Sequence, residues 1–100
     1  LLPEYCANQD NLISCTGANK FMINTNPKNE VIKKSFANSQ SFPLGDYEVT
    51  IKTKAKETLV LINDINGDDA VLYVTGGSFE DIAPELMQII ATFSQQNLDP

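Results

Sequence analysis

The chain has 100 residues, 42% of them hydrophobic, and seven basic side chains against thirteen acids give it a net charge of −6. That apolar fraction is too high for a disordered chain, and no apolar run reaches the roughly 20 residues that cross a bilayer. The acidity argues against nucleic acid and against anionic membrane surfaces, because both are bound mainly by neutralising phosphate charge.

The length fits one small domain, 1–100, with one core. Histidine and tryptophan are absent and all seven basic residues are lysine. If charge guides partner choice, it favours a basic protein. Otherwise it serves solubility. The chain opens on Leu1 with no basic-then-apolar leader, which fits either a trimmed start or a removed targeting peptide.

Cys6 and Cys15 are the only cysteines, and eight residues separate them. The spacing is too wide for a redox C-x-x-C, and no second pair or histidine is present to complete a zinc site. A disulfide, two free buried thiols and a reactive thiol remain open. The disulfide is favoured, because no histidine or arginine is available to stabilise a thiolate. A bridge closing so short a ring contributes about 2–3 kcal/mol and places the chain in a periplasmic or extracellular compartment. The absence of an N-x-S/T sequon, with abundant Asn and Lys, leans towards a bacterial source.

Residues 11–16 read as a strand and Gly17-Ala18-Asn19 as a turn, with a second strand over 20–25. Asn26 is placed to cap a helix starting at Pro27, running to about Phe36 and burying Val31, Ile32 and Phe36. Residues 37–43 read as a loop. Tyr47, Val49 and Ile51 then alternate with polar residues as in a half-buried strand. Its outer side carries Lys52, Lys54 and Lys56, a basic row that discourages edge pairing.

Two stronger strands follow, 58–65 and 68–75, joined by the hairpin signal Asn66-Gly67. A two-residue loop there sets Ile65 against Asp68, Ile62 against Val71 and Val60 against Tyr73. Both faces of this hairpin are apolar, which predicts a central position covered on each side. Gly76-Gly77 ends the strand, and 78–96 reads as a helix capped by Ser78 or Asp81. With Asp81 as the cap, Pro84 falls harmlessly in the first turn. Ile82, Leu86, Ile89, Ile90 and Phe93 form its apolar stripe, whose burial contributes on the order of 8–12 kcal/mol before entropy.

The expected architecture is α+β: an antiparallel sheet of about five strands, packed by a long C-terminal helix and a shorter helix near 27–36. The ending, a strand, a glycine break and a helix closing Ile89-Ile90-x-x-Phe93, resembles that of small bacterial envelope domains related to the PsbP family. The resemblance covers about the last quarter of the chain, bears on fold alone and carries no functional residue over.

Asp64-Ile65-Asn66-Gly67-Asp68 looks like the opening of calcium loops, with Asp64, Asn66 and Asp68 as oxygen ligands. Asp69 stands where such loops carry glycine and Leu72 where they carry the closing carboxylate, so an acidic hairpin tip explains the same residues. The pairs Asp68/Asp69 and Glu80/Asp81 sit in exposed contexts without a cleft. Gly76-Gly77-Ser78 lacks the phosphate-loop lysine. No pattern calls for a cofactor.

These features point to a non-enzymatic, exported binding protein of the inhibitor or immunity type, occluding a protein partner. Asp64, Asp68 and Asp69, with Tyr5 and Phe42 as aromatic anchors, are its candidate contact residues, and Glu80, Asp81 and Glu85 a second acidic group. The alternative is a structural or accessory domain of a bacterial envelope or secretion assembly, such as a lipoprotein without its anchor. A third reading is a calcium-dependent binding module.

Overall fold

The computed structural model describes residues 2–64, 67 and 69–98, with side chains described as far as Thr92 in the final helix. Seven antiparallel strands form one sheet: β1 Cys6–Gln9, β2 Leu12–Thr16, β3 Lys20–Asn24, β4 Asn38–Leu44, β5 Tyr47–Lys54, β6 Glu57–Asp64 and β7 Ala70–Thr75. Among the described residues two helices join them, α1 Asn29–Ile32 and α2 Phe79–Leu98. Across the sheet the order is β1-β2-β3-β7-β6-β5-β4, so the 57–75 hairpin is central, as its two apolar faces require. The α+β class holds.

The sheet exceeds five strands because β1 and 38–44 are strands too. Only Cys6 of the first and Phe42 and Leu44 of the second pack against the core, too few to show as a strand period, and each is an edge of the sheet. β4 takes the outer place the lysine row had suggested for β5. Three connections are two-residue hairpin turns whose first residue has positive φ: Asp10 (56°), Gly45 (63°) and Ala55 (52°). Glycine and aspartate accept that geometry readily, whereas alanine adopts it at a cost of about 1 kcal/mol.

One face of the sheet is covered by α2. Ile82, Leu86, Ile89 and Ile90 are fully buried against Ile13, Ile23, Val60, Leu72 and Val74. Phe93 lies outside the residues whose side chains are described. Ser78, not Asp81, caps the helix: its carbonyl accepts the Asp81 and Ile82 amides, and its hydroxyl donates to Asp81 Oδ2 at 3.0 Å. Pro84 therefore falls in the second turn and removes the amide that would have bonded the Glu80 carbonyl.

The chain between β3 and β4 crosses the other face, and here the expected helix is largely absent. α1 is a single turn with no buried residue and no side-chain cap, and Phe36 is only half-buried beyond it. Asn26 does not cap it, because the helix starts later, with Lys28 at the cap position, and the Asn26 backbone N–H instead donates to Asn24 Oδ1 at 2.9 Å. A β-branched pair, Val31-Ile32, and too few residues to repay nucleation leave little to extend it. Pro27 is buried instead.

The β6–β7 register is also offset by one from expectation: Val60 pairs with Leu72, Leu61 with Val71 and Ile62 with Ala70. A one-residue shift changes which side chains share a face. It puts Leu72 and Val74 in the α2 core and leaves Tyr73 on the opposite side. Gly67, at φ 90°, donates its amide to the Asp64 carbonyl at 2.9 Å, a turn that lengthens the loop beyond two residues. The expected Ile65–Asp68 pair lies outside the described residues.

Candidate functional site

The outermost strand, β4, is positioned by the Gly45-Asp46 turn and seven unbroken pairs with β5, from Asn38 opposite Thr53 to Leu44 opposite Tyr47. In an antiparallel ladder, hydrogen-bonded and non-hydrogen-bonded pairs alternate, and the pair flanking a two-residue turn is bonded. Leu44, Phe42, Gln40 and Asn38 therefore turn their backbone groups towards β5. Ser39, Ser41 and Pro43 turn theirs outwards. Pro43, which has no N–H, thus occupies a place where the ladder does not miss it.

Asn38 to Ser41 and Pro43 are exposed, and no residue of β4 is charged. The strand has a hydroxyl contact of 2.9 Å between Ser41 and Thr50 on the outer face. On the α2 side, a groove of ≈ 600 Å³ runs between this hairpin and the start of α2. Asn38, Gln40, Ile51 and Thr53 form its sheet wall, and Ser78, Phe79 and Glu80 its helix wall. Glu80 is the only charged residue among those lining it. Lys52, opposite Ser39, and Lys54 project from the other face.

The residues singled out by sequence separate into different roles. Cys6 and Cys15 face each other across β1 and β2 and form a disulfide. The bridge fits an oxidising compartment. Tyr5 continues that hairpin, its carbonyl accepting the Thr16 amide at 2.8 Å and its hydroxyl donating to Gln88 of α2 at 2.7 Å. Burial, then the Glu85 carboxylate, pushes its phenol above its ordinary value. Glu85 also accepts the Asn19 amide at 3.3 Å, while Asn19 Nδ2 donates to the Asp81 carbonyl at 2.8 Å. Gly17 leaves room for this docking: a Cβ there would lie 2.2 Å from Glu85 Oε2.

Phe42 is half-buried against the core and Asp64 pairs with Tyr47, both towards the end of the sheet away from Tyr5. Asp69 directly precedes β7 at that same end. Asp68 and Asn66 lie outside the described residues, as does most of the calcium-like loop. Among the described residues no cluster of three metal-ligating side chains occurs. Asp46, Glu48 and Asp64 line a shallow acidic hollow at the β4–β5 turn. The contact residues suggested by sequence thus do not form one patch.

Sequence reading missed a polar cluster on the second face. Glu57 Oε1 accepts Lys34 Nζ at 2.6 Å and the Tyr73 hydroxyl, and Lys34 Nζ stands 5.9 Å from the Tyr73 ring centre. The Lys34 hydrogen bond, reinforced by Tyr73, holds the Glu57 carboxyl below its ordinary value. Lys34 and Tyr73 are both raised, each chiefly by its bond to Glu57. All three shifts move titration away from neutral pH, opposite to what a general acid or base requires. The cluster ties the β3–β4 crossover to the sheet.

No helix among the described residues is long and apolar enough to span a membrane. Comparison of the chain with protein-family models, curated proteins and solved structures returned no match in any of the three.

Proposed function

We propose that this is a non-enzymatic binding protein of an oxidising compartment, of the inhibitor or immunity type, which works by occluding a protein partner. The observation that carries the reading is the open outer edge of β4, seven residues without a charge and bordered by a groove. Soluble domains normally guard such an edge with lysines, prolines, bulges or brevity; here Pro43 guards one end, and Asn38 to Ser41 are left as a ready pairing surface. The polar groups elsewhere support it. Glu85, Asp81, Ser78, Tyr5, Glu57 and Tyr73 are each bonded to a neighbouring element or within a cap. The disulfide supports export.

The test is affinity capture of the tagged chain from its native compartment, followed by native mass spectrometry and an activity assay on what is recovered. A one-to-one complex in which the partner's own activity is blocked is the expected result. Recovery only within a large envelope complex would favour the accessory-domain role instead. Substrate turnover by the chain alone would refute the reading.

A further inference from the structure

We infer that the β4 edge and its groove bind an extended peptide segment of a basic partner, added as an eighth strand with lysine or arginine side chains entering the groove. The inference rests on the binding reading above and names where and what it binds. Outward groups are available for it: Ser39 and Ser41 each present an N–H and a carbonyl, and Pro43 presents a carbonyl alone. Main-chain bonds to an edge give such recognition its affinity, and pockets for alternate side chains give it selectivity.

Charge selects the occupant. Residues of an added strand alternate between the two faces. Those on the α2 side meet the groove, where Glu80 is the only charge among the lining residues and the chain as a whole carries −6. Those on the other side come beside Lys52, across β4 from its pair Ser39. A segment alternating basic and acidic residues satisfies both faces in one register. Shifted by one residue it would place a carboxylate beside Glu80 and an ammonium beside Lys52, so the register is specified.

Fluorescence anisotropy with a labelled nine-residue peptide of alternating lysine and glutamate tests this, with alternating threonine and glutamine as control. The charged peptide is expected to bind at least ten-fold tighter. Binding should slow hydrogen exchange at the Ser39 and Ser41 amides, while those of Gln40 and Phe42, already turned to β5, are protected in the free protein.

Ser41→Pro removes one outward N–H at a position equivalent to Pro43 and should reduce binding ten-fold or more with an unchanged circular dichroism spectrum. Glu80→Gln, which leaves β4 untouched, should weaken binding at least three-fold. Equal binding of the two peptides, or full binding by both variants, would overturn the proposal. So would a dimer of the free protein that Ser41→Pro dissolves, because a second copy would then hold the edge. A captured partner that still binds the Ser41→Pro chain would remove this site and leave the binding function standing.

Discussion

The two faces of the sheet are closed by different means. On one, a twenty-residue helix lays four fully buried aliphatic side chains against residues of β2, β3, β6 and β7. On the other, a crossover with one helical turn is held by buried Pro27 and by the Lys34–Glu57–Tyr73 cluster, and it leaves Leu12 and Met22 38% and 42% exposed. More of the stability resides in the first closure, because the second fully buries Leu59 but little other aliphatic surface, and its half-exposed ion pair is largely screened by water. The second closure fixes the path of the chain to the β4 edge.

Truncation separates the faces most sharply. Leu86→Ala, in the α2 core, is expected to cost about 3–4 kcal/mol in urea denaturation, and Leu61→Ala, half-buried on the other face, about 1–2 kcal/mol. Comparable losses would erase the distinction. The disulfide belongs to the α2 side, where Cys15 is 1% exposed. Replacing both cysteines with serine is expected to cost about 2–3 kcal/mol, seen as a lower denaturation midpoint. Gly17→Ala should cost about 1 kcal/mol, because the new Cβ meets the flexible end of Glu85 and the Tyr5 ring, and Glu85→Ala in the same chain should remove only the part due to Glu85.

The smallest effect lies in the second closure and depends on pH. Glu57 titrates below its ordinary 4.5 when folded, so its stabilisation is present above that value and is lost as pH falls through the folded pKa. Lys34 and Tyr73 titrate above their ordinary 10.5 and 10.0, so theirs is present below those values and is lost as pH rises past the folded ones. Melting temperatures of the wild type and Glu57→Gln should differ near neutrality, and the difference should shrink as pH falls below 4.5 and through the lowered folded pKa. A difference that stays the same from neutrality through the whole acid range would contradict the assignment.

What could be read from the sequence follows the same division. The α2 stripe and the alternation in β5 declare themselves because a buried face imposes a period on apolar residues. The crossover and β4 impose none: Asn38-Ser39-Gln40-Ser41 bury no side chain, and their strand character comes from pairing with β5. The Gly45-Asp46 step before Tyr47 was the available hairpin signal. The β6–β7 register was misjudged because Asn66-Gly67 suggests a two-residue loop, whereas the observed offset needs a longer one. The disulfide was legible from composition, but the open edge was not, since which strand lies outermost is a property of topology.

The bridge between Cys6 and Cys15 joins two strands that are already neighbours, and β1 contacts the sheet through β2 alone. Reduction would consequently release a flap rather than dissolve the molecule: the opening strand would peel back, freeing Tyr5 from Gln88. β2 would then become the new border of the sheet, with Leu12 on it. Reduction would thus exchange a four-residue margin for a five-residue one that carries an exposed leucine.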